Sequence, residues 1–369
     1  MSTATLEPQA QAKTHKITQA INPDALNALL GRMVNDLGAS ISGALIVLGD
    51  RLGIYRALHR AGPSTSAELA TASRLDERHL REWLAAQAAS GYIAFEASTQ
   101  KFSLTPEQAA VFADPHSPAA MTGGFYSVSA AYHDEPLVAE SFRTGRGVAW
   151  EDHHNCLFCG VDRFFRPGYE ANLVAHWIPA LQGMVDKLTF GARVADVGCG
   201  RGSSTLILAA AFPASEFTGY DLHRPSIEMA TSQAKEKGLG NVRFEAARAQ
   251  NFPGTGYALV TMFDALHDMG DPVAAATHIR QSLAPGGTLM LVEPRAGDNL
   301  EDNLNPVGRA YYGFSTMICT PGAISQSGGM ALGAQAGDQK LKEVLHRAGF
   351  TKVRRAAETP FNVVIEARV

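Results

Sequence analysis

The clearest chemical signature in the chain is Asp196-Val-Gly-Cys-Gly-Arg-Gly202, an acidic residue followed by three closely spaced glycines. Gly198, Gly200 and Gly202 let the backbone approach a ligand, and Ser203-Ser204 can open a helix whose free N–H groups face it. A turn of this kind between strand and helix takes a nucleotide-like ligand. A dinucleotide pyrophosphate asks for G-x-G-x-x-G, but here the third glycine comes one residue early. Asp196 would repel a pyrophosphate, whereas it can hold the ammonium group of an amino acid, directly or through water. Asp221 lies 21 residues after Gly200, at the end of the next strand-like run. There a carboxylate can accept both ribose hydroxyls; its other reading is a helix cap.

These residues need a frame to hold them. Strands are predicted at 193–197, 216–221, 242–245, 257–263 and 288–292, alternating with helices at 203–212, 225–237 and 272–283. The alternation predicts a doubly wound, mostly parallel α/β sheet. A helix at 339–348 and strands at 352–356 and 362–367 follow, placing an antiparallel pair at one edge and bringing the sheet to seven strands. Upstream, Asn22 can cap a helix that starts at Pro23, and Asp76 can cap another that Gly91 stops. Short helices followed by strand-like runs at 92–95 and 101–104 give the order of a winged helix. The expected units are a flexible tail (1–21), an all-α/winged-helix domain (22–105), a helical linker contributing to a pocket (106–189) and the ligand-binding domain (190–369).

From residue 190 onward the chain resembles class I methyltransferases that use S-adenosylmethionine (SAM), on the glycine loop, Asp221 and the turn Leu283-Ala-Pro-Gly-Gly-Thr-Leu289. The resemblance implies a Rossmann-like fold, SAM as methyl donor, and a cofactor site made of Asp196, Gly198, Gly200, Gly202 and Asp221. It would place Ala249 and Gln250 against the adenine, where the family often carries an acidic residue, and Asp264 as a shaper of the pocket. Phe263-Asp-Ala-Leu-His-Asp-Met-Gly-Asp271 resembles the corresponding stretch of winged-helix O-methyltransferases. That likeness implies His267 as the general base and Glu293 as its orienting acid. An imidazole titrating near neutrality suits proton removal from a hydroxyl; a helix cap or a backbone contact is the plainer reading of the same histidine.

Trp150-Glu-Asp-His-His-Asn-Cys-Leu-Phe-Cys159 crowds two histidines and a C-x-x-C into ten residues. The donor types suit zinc or a soft metalloid, but no second ligand pair stands nearby, so no metal is assigned. His153 and His154 are instead expected to face the substrate. Arg166 and Tyr169, in an aromatic run that can cover the cofactor, and Tyr311 are expected to line the acceptor pocket; aromatic core is the simpler fate of such rings.

With 46% hydrophobic and 18% charged residues the chain can bury a core, and a net charge of −4 offers no general attraction for nucleic acid or an anionic membrane. No apolar run approaches the ~20 residues of a membrane span, and no signal peptide is recognisable, so the cytoplasm is expected. The reading is methyl transfer from SAM to a small molecule, first a hydroxyl. Alternatives are a small thiol or thioether, or arsenite. A winged-helix DNA-binding regulator is the rival from another class, but the helix at 76–90 is near neutral and Ala-rich, and a homodimer through the winged-helix domain is expected instead.

Overall fold

The computed structural model describes residues 21–369. The tail expected at 1–21 lies outside them except for Ile21. Among the described residues nine strands form: β1 Ala94–Glu96, β2 Lys101–Ser103, β3 Arg193–Val197, β4 Glu216–Asp221, β5 Val242–Ala246, β6 Tyr257–Phe263, β7 Leu283–Pro294, β8 Lys352–Glu358 and β9 Asn362–Arg368. The last seven make one sheet in the order β5-β4-β3-β6-β7-β9-β8. Neighbours from β5 to β7 run parallel, and β9 pairs antiparallel with both β7 and β8.

Both faces of this sheet are covered, so its central strands are buried almost throughout. Alternate residues serve opposite cores, as the two-residue period of a strand demands. Ala195, Val197, Leu289 and Leu291 face one cluster with Ile279 and Phe350, while Val194, Met290 and Val292 face another with Trp177 and Leu208. Successive strands step outward from β3 to β5 and then return beside β3 with β6. This reversal opens a crevice at the carboxyl ends of the strands. The turn expected before 288 proves to be a bulge inside β7: Tyr257 pairs with Leu283 but Leu259 with Thr288, and Gly286 has φ +70°.

The winged-helix unit consists of helices Ile54–Ala61, Ser66–Ser73 and Glu77–Ala89 and the β1–β2 hairpin. The caps follow the sequence: Asn22 accepts from the N–H groups of Asp24 and Ala25 at the start of the preceding helix Pro23–Arg51, and Asp76 from that of His79. Its core of Leu58, Leu69, Trp83, Leu84 and Phe102 also takes in Ala109 and Ala113, so helix Pro106–Phe112 belongs with it and not with the linker.

Two long helices, Thr122–Thr144 and Cys156–Asn172, make the bridge to the sheet. Buried Asp50, near the end of the long first helix Pro23–Arg51, accepts from the hydroxyl of Tyr126 (2.8 Å) and pairs with Arg163 (2.7 Å). One carboxylate thus ties the winged-helix unit to both bridging helices. Those helices touch backbone to backbone at Gly160, where a Cβ would stand 2.5 Å from Oγ and 2.6 Å from N of Ser127.

Alanine normally gains about 1 kcal/mol over glycine in a helix, but overpacking costs about 1–3 kcal/mol. Gly160→Ala is therefore expected to lower stability in urea unfolding. Gly313→Ala, a helical site with nothing within 4 Å of the added carbon, should match or exceed the parent.

Candidate active site

β3 ends in the glycine loop, and helix Ser203–Ala211 starts at once from Gly202. Gly198, Gly200 and Gly202 have φ of +76°, +52° and +81°, a region that side chains disfavour. Gly200 N–H donates to Oδ2 of Asp221 at 2.8 Å, and Oδ1 of Asp221 accepts from His223 N–H at 2.8 Å. The end of β4 is thereby fastened to the loop, with Asp221 in the wall of a cleft that opens to solvent. Gly198, Gly200, Asp221, Ala249, Gln250 and Asp264 share that wall. Helix Cys156–Asn172 closes the other side with Phe158, Asp162, Phe165 and Tyr169.

Asp196 lies beneath the loop and not in the wall. It is fully buried, and its oxygens accept from the hydroxyls of Ser204 (2.7 Å), Thr205 (2.6 Å) and Thr261 (2.9 Å). Asp264 sits at φ +47°, accepting from Tyr169 Oη (2.9 Å) and Asn362 Nδ2 (2.8 Å). Burial, with Glu293 nearby, pushes its carboxyl up to about 8.

Beyond Asp264 the cleft is backed by two buried imidazole–carboxylate pairs. Nδ1 of His267 meets Glu293 at 2.5 Å, and the other oxygen of Glu293 accepts from Leu266 N–H at 2.9 Å. Burial disfavours charge on His267, but Asp268 and Glu293 outweigh it and hold the ring well above its ordinary pKa. The second pair joins Nδ1 of His153 to Asp134 at 2.9 Å, and Nε2 of His153 is buried without a partner. Asp268 is the member of this group that reaches the cleft wall; both imidazoles stand behind it.

Several expected substrate contacts are placed elsewhere. His154 stacks near His133, 4.2 Å between ring centroids, and its Nδ1 accepts from Cys156 N–H, so it caps a helix. Arg166 donates from Nε to Ser203 Oγ at 3.0 Å and pairs with Asp162, which puts it at the glycine loop. Tyr311 donates to the carbonyl of Phe361 and packs with Cys319 and Ala334 outside the cleft wall. Cys156 and Cys159 do not gather with His153 and His154 into a ligand set among the described residues. Sequence reasoning missed Asp134, Asp162 and Cys319. Each is an unremarkable residue in a helical stretch, with a role visible only once distant elements meet.

A Rossmann-like sheet with this loop at its switch point builds a ligand-binding crevice. Residues 188–349 match a methyltransferase domain, and residues 40–113 match an Rv2258c-like winged HTH domain. The chain thus carries, behind a segment similar to a winged HTH domain, a segment similar to a methyltransferase domain. An uncharacterized methyltransferase, YcgJ, of Bacillus subtilis is 31% identical over 32% of this chain and 47% of its own length. Demethylspheroidene O-methyltransferase of Rhodobacter capsulatus is 29% identical over 44% of this chain and 37% of its own length. The chain therefore spans about half or less of these two relatives. The crystal structure of human N-acetylserotonin methyltransferase in complex with SAM shares the fold, with a TM-score of 0.66 at 18% identity over 92% of this chain and 97% of that one.

Asp264 carries a pH consequence. A carboxyl raised from 3.8 to about 8 on folding keeps a proton that the unfolded chain has already released. Between those values the folded state binds more protons, so stability falls as pH rises. Urea unfolding from pH 5 to 8 should show this loss, and Asp264→Asn should remove at least about 1 kcal/mol of it.

Proposed function

We propose that the chain is a SAM-dependent methyltransferase acting on a hydroxyl of a small-molecule acceptor, with His267 as general base and Glu293 orienting it. One observation carries the reading: the glycine loop and Asp221 open onto the cleft that the His267–Glu293 pair backs through Asp268. In this reading Asp221 accepts from the ribose hydroxyls, Ala249 and Gln250 line the adenine, and Asp264 helps hold the amino-acid end. Asp196 acts from beneath, through the shape of the loop. With Nδ1–H directed to Glu293, Nε2 is the atom that takes the acceptor's proton. The new O–C bond then forms as the sulfonium C–S bond breaks, and neutral S-adenosylhomocysteine leaves. His153, held by Asp134, and Tyr169 border the acceptor end.

A sulfur acceptor is the second reading. It is favoured by the carboxylates that keep His267 protonated near neutrality, since sulfur needs little help from a base.

Asp221→Ala is expected to weaken SAM binding about tenfold or more in calorimetry, through loss of charge-assisted ribose bonds. Binding left unchanged would remove Asp221 from the site.

For an oxygen acceptor, His267→Ala should lower turnover ~10²–10⁴-fold with SAM affinity nearly kept. Turnover of the parent should rise with pH through a value above 6.5, because Asp268 and Glu293 stabilise the protonated ring and it becomes a base only on losing that proton. A flat profile with an active variant points to a thioether.

We further propose that the active form is a cytoplasmic homodimer that binds no nucleic acid. Four free cysteines fit a reducing compartment, and no single helix among the described residues is long and apolar enough to cross a membrane. In helix Glu77–Ala89, Arg78 pairs with Glu82 and Arg81 with Glu77, so the charge of both arginines is balanced on the helix itself, which speaks against groove reading. Helix Pro23–Arg51 instead exposes Leu30, Met33, Val34, Leu37 and Ile41, with Val34 and Leu37 each 71% exposed. A second copy covers such a self-complementary stripe. Light scattering should give a dimer for the parent and a monomer for Val34→Glu/Leu37→Glu.

A further inference from the structure

Cys319 has no part in the reaction above, yet the fold carries it to the reacting end. It is buried at the close of the π-helical turn Ser315–Cys319. Its Sγ, Nε2 of His267 and a carboxylate oxygen of Asp268 all lie within 4.8 Å of one another. Oδ1 of Asp268 is shut off from solvent and stands 3.2 Å from Nε2, an ion-pair separation without hydrogen-bond geometry. Two ligands of one zinc-like ion, each about 2.0–2.2 Å from it, stand about 3.2–3.5 Å apart. The pair is thus set at ligand spacing without hydrogen-bond alignment.

We propose that His267, Asp268 and Cys319 form a binding site for a divalent cation of the zinc class. A mixed nitrogen, oxygen and sulfur donor set selects a borderline-soft ion over magnesium or calcium. Nδ1 of His267 already rests on buried Glu293, and metal-bound imidazoles carry such an orienting carboxylate on the other ring nitrogen. His153 repeats the arrangement with Asp134 and keeps Nε2 free. Three protein ligands leave a fourth position, as in catalytic sites, and Asp268 reaches the cleft wall. The purpose, though not the binding, rests on the methyl-transfer reading. An acceptor O–H or S–H held at the cation would give its proton to water more readily, and the resulting anion would take the methyl as the C–S bond of SAM breaks; without the ion, the imidazole of His267 remains the base of the proposed reaction.

Cobalt(II) is the probe. Titrated into chelator-treated full-length protein, it should bind one per chain and raise an intense thiolate-to-cobalt absorption band in the near ultraviolet. Cys319→Ser should abolish the band and weaken binding at least tenfold, while Cys156→Ser/Cys159→Ser leaves both unchanged. X-ray absorption on the zinc-loaded parent needs no variant: it should show one sulfur at about 2.3 Å with nitrogen or oxygen at about 2.0–2.2 Å. No band in the parent, a band that survives Cys319→Ser, or zero or two sulfurs around zinc would each overturn the site and leave a proton between Nε2 and Oδ1. S-adenosylhomocysteine binding in the same preparations reports on the methyl-transfer reading separately.

Discussion

A single buried carboxylate underlies the cofactor cleft. Asp196 has no exposed surface, and an isolated carboxylate there would be prohibitively expensive. Three hydroxyls offset part of that cost, and they come from different elements: Thr261 from β6, and Ser204 and Thr205 from the helix after the loop. Meeting their demand fixes β3, β6 and the helix start relative to one another. The intervening five residues must then turn within a short span, which positive φ at three glycines allows. Asp221 completes the turn from the neighbouring strand by holding Gly200 N–H. The loop's shape is therefore set from below and from the side, and the ligand meets a surface already made.

The same site gathers acidity to an unusual degree. Asp162, Asp221, Asp264 and Asp268 line one cleft, and Glu293 lies just behind it. Burial and mutual repulsion raise the carboxyls of Asp264 and Asp268, and the charge on His267 relieves part of the repulsion. A cation entering the cleft would relieve more of this repulsion, and in the proposed reading the sulfonium of SAM is that cation.

The sheet was legible because its strands are buried on both faces and its helices follow at regular intervals. Predicted limits for β3, β4 and β6 coincide with the observed ones, and those of the helices differ by a residue or two. Glycine spacing and the acid at the end of β4 likewise carry local geometric demands that survive in a bare sequence. The region 106–189 does not show itself in this way. Its helices are held by contacts such as Asp50 with Arg163 and Gly160 with Ser127, which join residues far apart in the chain. His153 and His154 are adjacent and chemically identical, yet one is sealed against Asp134 and the other caps a helix. No pattern of residue types separates them. Arg166 and Tyr311 diverge from expectation for the same reason: a long polar side chain goes to whichever partner the packing leaves within reach, here Asp162 with Ser203 and the carbonyl of Phe361.

The winged-helix unit gains a physical role through the bridge. Arg163, tied to Asp50, stands on the same helix as Asp162, Phe165 and Tyr169, three residues of the cleft wall. Cation–π contact of Arg163 with Tyr126, 4.8 Å from the ring centroid, stiffens the joint. Tyr169 carries the linkage one step further, since its hydroxyl donates to Asp264. Helix Cys156–Asn172 thus joins two polar contacts, one to the end of helix Pro23–Arg51 and one to Asp264 in the cleft wall, so a displacement of the first helix is passed to that wall.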